Sequence, residues 1–149
     1  MNDKNYTKRC KLTVKNYTHL DFEEDEIPGV TFKLLWTRDV HTESDITPRL
    51  EPGQEDTKKS RGIGNGTNTR HFDIEVIILW DEQEHFCGKF THTVFNRGSE
   101  GFHDETRLRF DRETYNIYRT FRDGGMGDEV KESIGPIPFT ILEPKSSKI

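Results

Sequence analysis

Few residues in this chain are placed for chemistry. The densest group is His103-Asp104-Glu105, a short step from Arg97. Hydrolysis there would need a positioned nucleophile or a general acid–base pair, and no glycine-flanked serine or catalytic cysteine motif supplies one. The same residues suit recognition: Arg97 can fork onto a phosphate or carboxylate, and Phe95 and Phe102 offer apolar surface beside it. The plain alternative is a solvated loop.

His71, Asp73 and Glu75 share one strand face at i, i+2 and i+4, an arrangement open to a divalent cation but also that of any wet strand face. Nothing nearby completes a ligand set, so no metal is expected. The acid run Glu23-Glu24-Asp25-Glu26 lacks the spacing of a calcium loop and reads as a solvated turn. The glycine series at 62–67, G-I-G-N-G-T, would cradle phosphate if it opened a helix; here it opens a strand, so no nucleotide cofactor follows. Cys10 and Cys87 have no metal-ligand spacing and read as two buried thiols, with a disulfide the alternative. His92 projects to the inner face, where a core histidine bonded to a neighbour competes with a ligand or switch. The lack of a catalytic motif points away from an enzyme.

The elements that position these residues are strands. Residues 70–95 form a long antiparallel hairpin around D-E-Q-E-H, with Trp80 opposite Phe86, Val76 opposite Phe90, Ile74 opposite His92 and Phe72 opposite Val94. One face is then almost wholly apolar. The other, carrying His71, Asp73, Glu75, Ile77, Leu79, Cys87, Lys89, Thr91 and Thr93, is largely polar. Such a pair must be covered by a second sheet. Alternation also predicts strands at 8–15, 30–36 and, briefly, 46–50, in an otherwise irregular stretch from 39 to 69. After a glycine-containing loop at 96–104, Thr106, Leu108 and Phe110 pair with Arg119, Ile117 and Tyr115 through a D-R-E-T turn. Strands are expected near Val130 and, more firmly, at 139–142, with Pro136, Pro138 and Pro144 at a sheet edge or strand end. The count is seven to nine strands with no helix: an all-β antiparallel sandwich.

Composition agrees. The chain of 149 residues fits one domain, 1–149, with ends at 1–8 and 144–149 expected to be flexible. It has no alanine but 16 threonines and 10 phenylalanines, a balance that favours strands. A formal net charge of −5 argues against nucleic acid as the main partner. No signal peptide or spanning segment is evident, which predicts a soluble chain made in the cytosol, able to act at membranes after release. On that reading the Asn-x-Thr sites at Asn5, Asn16 and Asn65 arise by chance.

In order along the chain come the opening strand K-L-T-V-K-N-Y-T, the segment P-R-L-E-P-G, the loop G-I-G-N-G-T, the long strand F-D-I-E-V-I-I-L-W and its partner K-F-T-H-T-V-F running into N-R-G-S-E-G. This order resembles the cytolysin and lectin β-sandwich superfamily, which includes the aegerolysins and actinoporins. The resemblance implies a non-enzymatic protein that binds a membrane lipid or glycan through loops at one end, as a cytolysin or toxin component, with no cofactor. It places Phe95, Arg97, Phe102 and His103 near the headgroup, and Tyr115 and Tyr118 as stacking partners for choline. The actinoporin tyrosine cluster, the amphipathic N-terminal helix and the tryptophan-rich rim are missing. The competing expectation is an intracellular protein-interaction or structural sandwich using Ile77 and Leu79 as an apolar patch, with a protein partner or a second copy.

Overall fold

The computed structural model describes residues 10–38, 40, 45–60, 69–95, 103–122 and 127–142, with Phe95 in backbone only. They form nine strands: β1 (Lys11–Asn16), β2 (Thr31–Trp36), β3 (Asp45–Leu50), β4 (Glu55–Lys59), β5 (Thr69–Trp80), β6 (Gln83–Phe95), β7 (His103–Asp111), β8 (Asn116–Arg122) and β9 (Glu129–Pro136). Sheet 1 has the order β4-β1-β7-β8-β9 and sheet 2 the order β3-β2-β5-β6. The protein is an all-β sandwich. All pairings are antiparallel except β1 with β7, whose parallel alignment is reached only after the chain has built β2 to β6. Among the described residues the one helical element is a 3₁₀ turn at Thr18–Asp21, and no helix is long and apolar enough to cross a membrane.

The inner faces follow the alternation in the letters. Leu12, Val14, Leu108, Phe110 and Ile117 from sheet 1 meet Phe32, Leu34, Trp36, Phe72, Ile74, Val76, Ile78, Phe90 and Val94 from sheet 2. Burying each such side chain contributes about 1.5–3 kcal/mol. The Trp36 indole donates to Thr47 Oγ1 at 2.9 Å, and that hydroxyl donates to Asp56 at 2.6 Å, so the ring is buried with its polar atom satisfied.

The long hairpin forms, in a different register. Its turn is two residues, Asp81 and Glu82, both at positive φ (54° and 60°), the geometry that suits the twist of the flanking strands. Phe72 therefore faces His92, Ile74 faces Phe90 and Arg70 faces Val94. Near the turn Val76 pairs with Gly88 but Ile77 with Phe86, so Cys87 is an extra residue, a β-bulge. The bulge inverts the faces beyond it: Phe86, expected inside, is 60% exposed, and Cys87, expected outside, is buried. The second hairpin is likewise offset by two residues, with Thr106 opposite Phe121, Leu108 opposite Arg119 and Phe110 opposite Ile117. A two-residue slip leaves every side chain on its own face, so away from the bulge alternation predicts the inner residues but not their partners.

Three elements depart from expectation. β4 lies where only irregular chain was expected, because an edge strand reading E-D-T-K-K carries no apolar alternation. The stretch 139–142 is not a strand, whereas the segment around Val130 is β9, ending at Pro136 where the missing N–H costs no ladder bond. His103 and Asp104 open β7 and do not lie in a loop.

β9 carries a second bulge, since Ile117 pairs with Gly135 but Tyr118 with Ser133. The two bulges meet across the sandwich. A Cβ on Gly88 would stand 2.1 Å from the Ile134 carbonyl oxygen, and one on Gly135 would stand 2.0 Å from that of Cys87. The Cys87 thiol donates to the Gly135 carbonyl at 3.3 Å. This backbone-to-backbone approach closes one side of the sandwich.

The two ends differ. At one, the connections are pinned, including the long one at 17–30: the buried Asn16 amide donates to the carbonyls of Val30 (2.7 Å) and Leu50 (2.8 Å), Arg109 forks onto Asp21 (3.0 and 2.7 Å), Arg112 forks onto Glu26 (2.7 and 3.0 Å), and the Tyr115 hydroxyl accepts the Ile141 N–H. Asn16, with no exposed surface, is thus a structural residue rather than a glycosylation acceptor in the folded chain. At the opposite end lie the strand ends Lys11, Lys59, Thr69, Phe95, His103 and Arg122, from which the connections 60–68, 96–102 and 123–128 leave.

Candidate functional site

The outer face of sheet 1 at this second end carries a cleft of about 180 Å³ lined by His103, Asp104, Glu105, Arg107 and Arg122. Strand alternation puts His103, Glu105 and Arg107 outward on β7 while Asp104, Thr106 and Leu108 turn in. Antiparallel β8 sets Arg122 beside Glu105, as Thr106 pairs with Phe121. Parallel β1 sets Lys11 beside His103, and antiparallel β4 sets Lys59 beside Lys11. His103 Nε2 lies 2.7 Å from Thr13 Oγ1, which anchors the ring over β1.

The charges there are unequal. Glu105 Oε2 is shared by Lys15 at 3.2 Å and Arg107 at 2.6 Å, and contact with this carboxylate holds the Lys15 ammonium above its ordinary value. Among the described residues Lys11, Lys59 and Arg122 make no ion pair with a carboxylate; Arg122 donates to the Gly127 carbonyl at 3.2 Å. The cleft, whose own lining sets Asp104 and Glu105 against Arg107 and Arg122, can take an anion by way of Arg122 and the neighbouring Lys11 and Lys59. It has room for a phosphate-sized group, below the roughly 300 Å³ of a drug-sized pocket.

Behind the cleft lies a buried polar network joining the two sheets. Asp104 accepts from His92 Nε2 at 2.9 Å, and Arg119 reaches His92 Nδ1 at 2.8 Å, Glu132 at 2.8 Å and the Thr91 carbonyl at 3.1 Å. A guanidinium only donates, so His92 Nδ1 must be the accepting nitrogen and Nε2–H the donor to Asp104. Both ring nitrogens are thereby used. The lone pair a general base would need is covered, and the expectation of a core histidine bonded to its neighbours holds. The guanidinium sits 4.5 Å from the Phe90 ring and 3.7 Å from that of Phe121, and its burial lowers its proton affinity from the ordinary arginine value.

The other candidates for chemistry are engaged structurally. Cys10 and Cys87 are free and buried, and burial pushes the Cys87 thiol up to about 12, far from a reactive thiolate. Asp73 bonds Thr91 and lies 3.8 Å from Arg38, and His71 bonds Thr93, so the two are held apart by separate partners. Among the described residues no group of three or more His, Cys, Asp or Glu could hold a metal ion. The acid run ends with Glu26 clamped by Arg112, an interaction that holds its carboxyl below the usual range.

Of the residues singled out in the sequence, His103 lies in the cleft. Arg97, Phe102 and the glycine series at 62–67 lie outside the described residues, and Phe95 ends β6 at the same end of the sandwich. Tyr115 does not join them. It sits in the β7–β8 turn, roughly 25 Å along β7 from His103 at about 3.3 Å per residue. Its ring packs edge-on to Phe110, and the Lys131 ammonium lies 4.3 Å from the centre of the Tyr118 ring. Trp80 is half-buried at the pinned end, stacked on Phe139. Sequence reasoning missed Lys11, Lys59, Arg107 and Arg122, each of which reads alone as the wet side of a strand. The signal was available only once β1, β4, β7 and β8 were known to be neighbours.

No family model, curated protein or solved structure matches the chain. The likeness to cytolysins and lectins rests on residue pattern alone.

Proposed function

We propose that this sandwich is a recognition module that binds a membrane lipid headgroup or a glycan at the end carrying His103, Arg107 and Arg122. One observation carries this reading: Lys11, Lys59 and Arg122, none of them in an ion pair among the described residues, gather beside the cleft at this end, while the connections of the far end are pinned by their own hydrogen bonds. Loops carried on a rigid scaffold are a common place for binding. The occupied nitrogens of His92 and the buried thiol of Cys87 favour binding over catalysis. By its resemblance, the module acts as the binding component of a cytolysin.

A second reading has its own support. On the outer face of sheet 2, Phe86 is 60% and Ile46 48% exposed, near Leu35, Ile77 and Leu79, an apolar surface suited to a protein partner or a second copy.

Co-sedimentation with liposomes of several headgroups, together with a glycan array, separates the two. The first reading expects retention on at least one member, weakened by Arg97→Ala and Arg122→Ala and unchanged by Phe86→Ser. Loss with Phe86→Ser alone would favour the second, and no retention anywhere would remove the first.

A further inference from the structure

We infer that the ligand of this end is a compact polyanion, a headgroup bearing two or more phosphates on one ring; this rests on the recognition reading above. Lys59 and Lys11 stand directly opposite each other on β4 and β1, both exposed, and Lys11 is in turn beside His103 on β7. Like charges paired across strands oppose folding. Here they recur in a chain whose net charge is −5, so their clustering is not a product of general basicity.

The patch extends to Arg122 on β8, one step down the face, where it stands between Glu105 and Glu129, with Arg107 a further step below. At about 4.8 Å between strands it spans roughly 15 Å. Its limits are as informative as its charge. Further down the same face Arg109 is taken by Asp21 and Lys131 by Asp111, and Glu55 and Glu129 flank the band on its two outer strands. The unneutralised charge is a patch and not a track. A patch this size matches several phosphates on one small ring, whereas an extended sulfated chain would need cations continuing along the face. The cleft beside it takes one phosphate, and Lys11 and Lys59 face the next.

The test is calorimetric titration of the full chain with inositol hexakisphosphate, beside vesicles of phosphatidylcholine with and without a bis-phosphorylated inositol lipid, and a sulfated oligosaccharide. Binding to the hexakisphosphate is expected, weakening as salt is raised. Lys11→Glu should weaken it at least about tenfold, equal to about 1.4 kcal/mol. The same change places opposite charges across β1 and β4, so the melting temperature should hold or rise; lost binding with kept stability marks a ligand contact. Lys89→Glu, on the outer face of sheet 2, should leave binding unchanged. Retention on the phosphorylated vesicles shows that the lipid-borne form is read, and binding of the soluble probe alone assigns the site to free polyphosphate. Unchanged affinity in Lys11→Glu, or tighter binding of the sulfated chain, overturns the inference. Retention on neutral lipids or glycans with no response to the hexakisphosphate overturns it and leaves the recognition reading standing; no binding to any probe removes both.

Discussion

Gly135→Ala should cost the fold about 3 kcal/mol or more, a large share of the roughly 5–15 kcal/mol of a typical domain. The added methyl would stand 2.0 Å from the Cys87 carbonyl oxygen, and the obstacle is backbone, so no side chain can swing aside. The two edge strands must part, and the thiol bond from Cys87 to Gly135 goes with them. Gly88→Ala meets the Ile134 carbonyl in the same way and should cost a similar amount. Because either change separates the same two strands, the double variant should lose clearly less than the sum of the singles. Gly53→Ala is the control: nothing lies within 4 Å of its added carbon, and only its φ of 86° opposes the change, at about 1–2 kcal/mol. Urea unfolding of the four variants decides the matter. A Gly135→Ala midpoint no lower than that of Gly53→Ala would mean the bulges do not meet as described.

Arg119→Met should lose about 3–5 kcal/mol, the range for removing one partner of a buried charge pair. Glu132, with 46% of its side chain exposed, can regain water. His92 and Asp104 cannot: at 2% and 10% side-chain exposure they are left with the His92 Nδ1 lone pair stripped of its donor beside a buried carboxylate. Asp104→Asn should cost only about 1–2 kcal/mol, since the amide oxygen still accepts from His92 Nε2–H. If the penalty in Arg119→Met comes from stranded polar groups, replacing all three together as Arg119→Met, His92→Phe and Asp104→Leu should recover much of it. A loss below about 1 kcal/mol in the single variant would show that the network does not join the sheets.

The alternation of Phe72, Ile74, Val76 and Ile78 was enough to predict a two-layer sandwich, because a half-buried strand must repeat at period two. The same period conceals register. Pairing Phe72 with Val94 or with His92 leaves both on the inner face, so nothing in the pattern chooses between them, and the choice falls to the turn at Asp81-Glu82. The bulge at Cys87 was hidden for another reason: it exists because Gly88 and Gly135 must meet, a contact between residues 47 positions apart. The candidate site was legible at His103 and illegible at Lys11, Lys59 and Arg122, since the parallel pairing of β1 with β7 that gathers them leaves no local trace.

The most direct test of the recognition reading is an amide NMR titration of the intact chain with inositol hexakisphosphate. The account predicts shift changes centred on Lys11, Lys59, His103, Arg107 and Arg122, fading toward Tyr115. Changes centred on Phe86 and Ile46, or at the pinned end around Asp21 and Arg112, would contradict it.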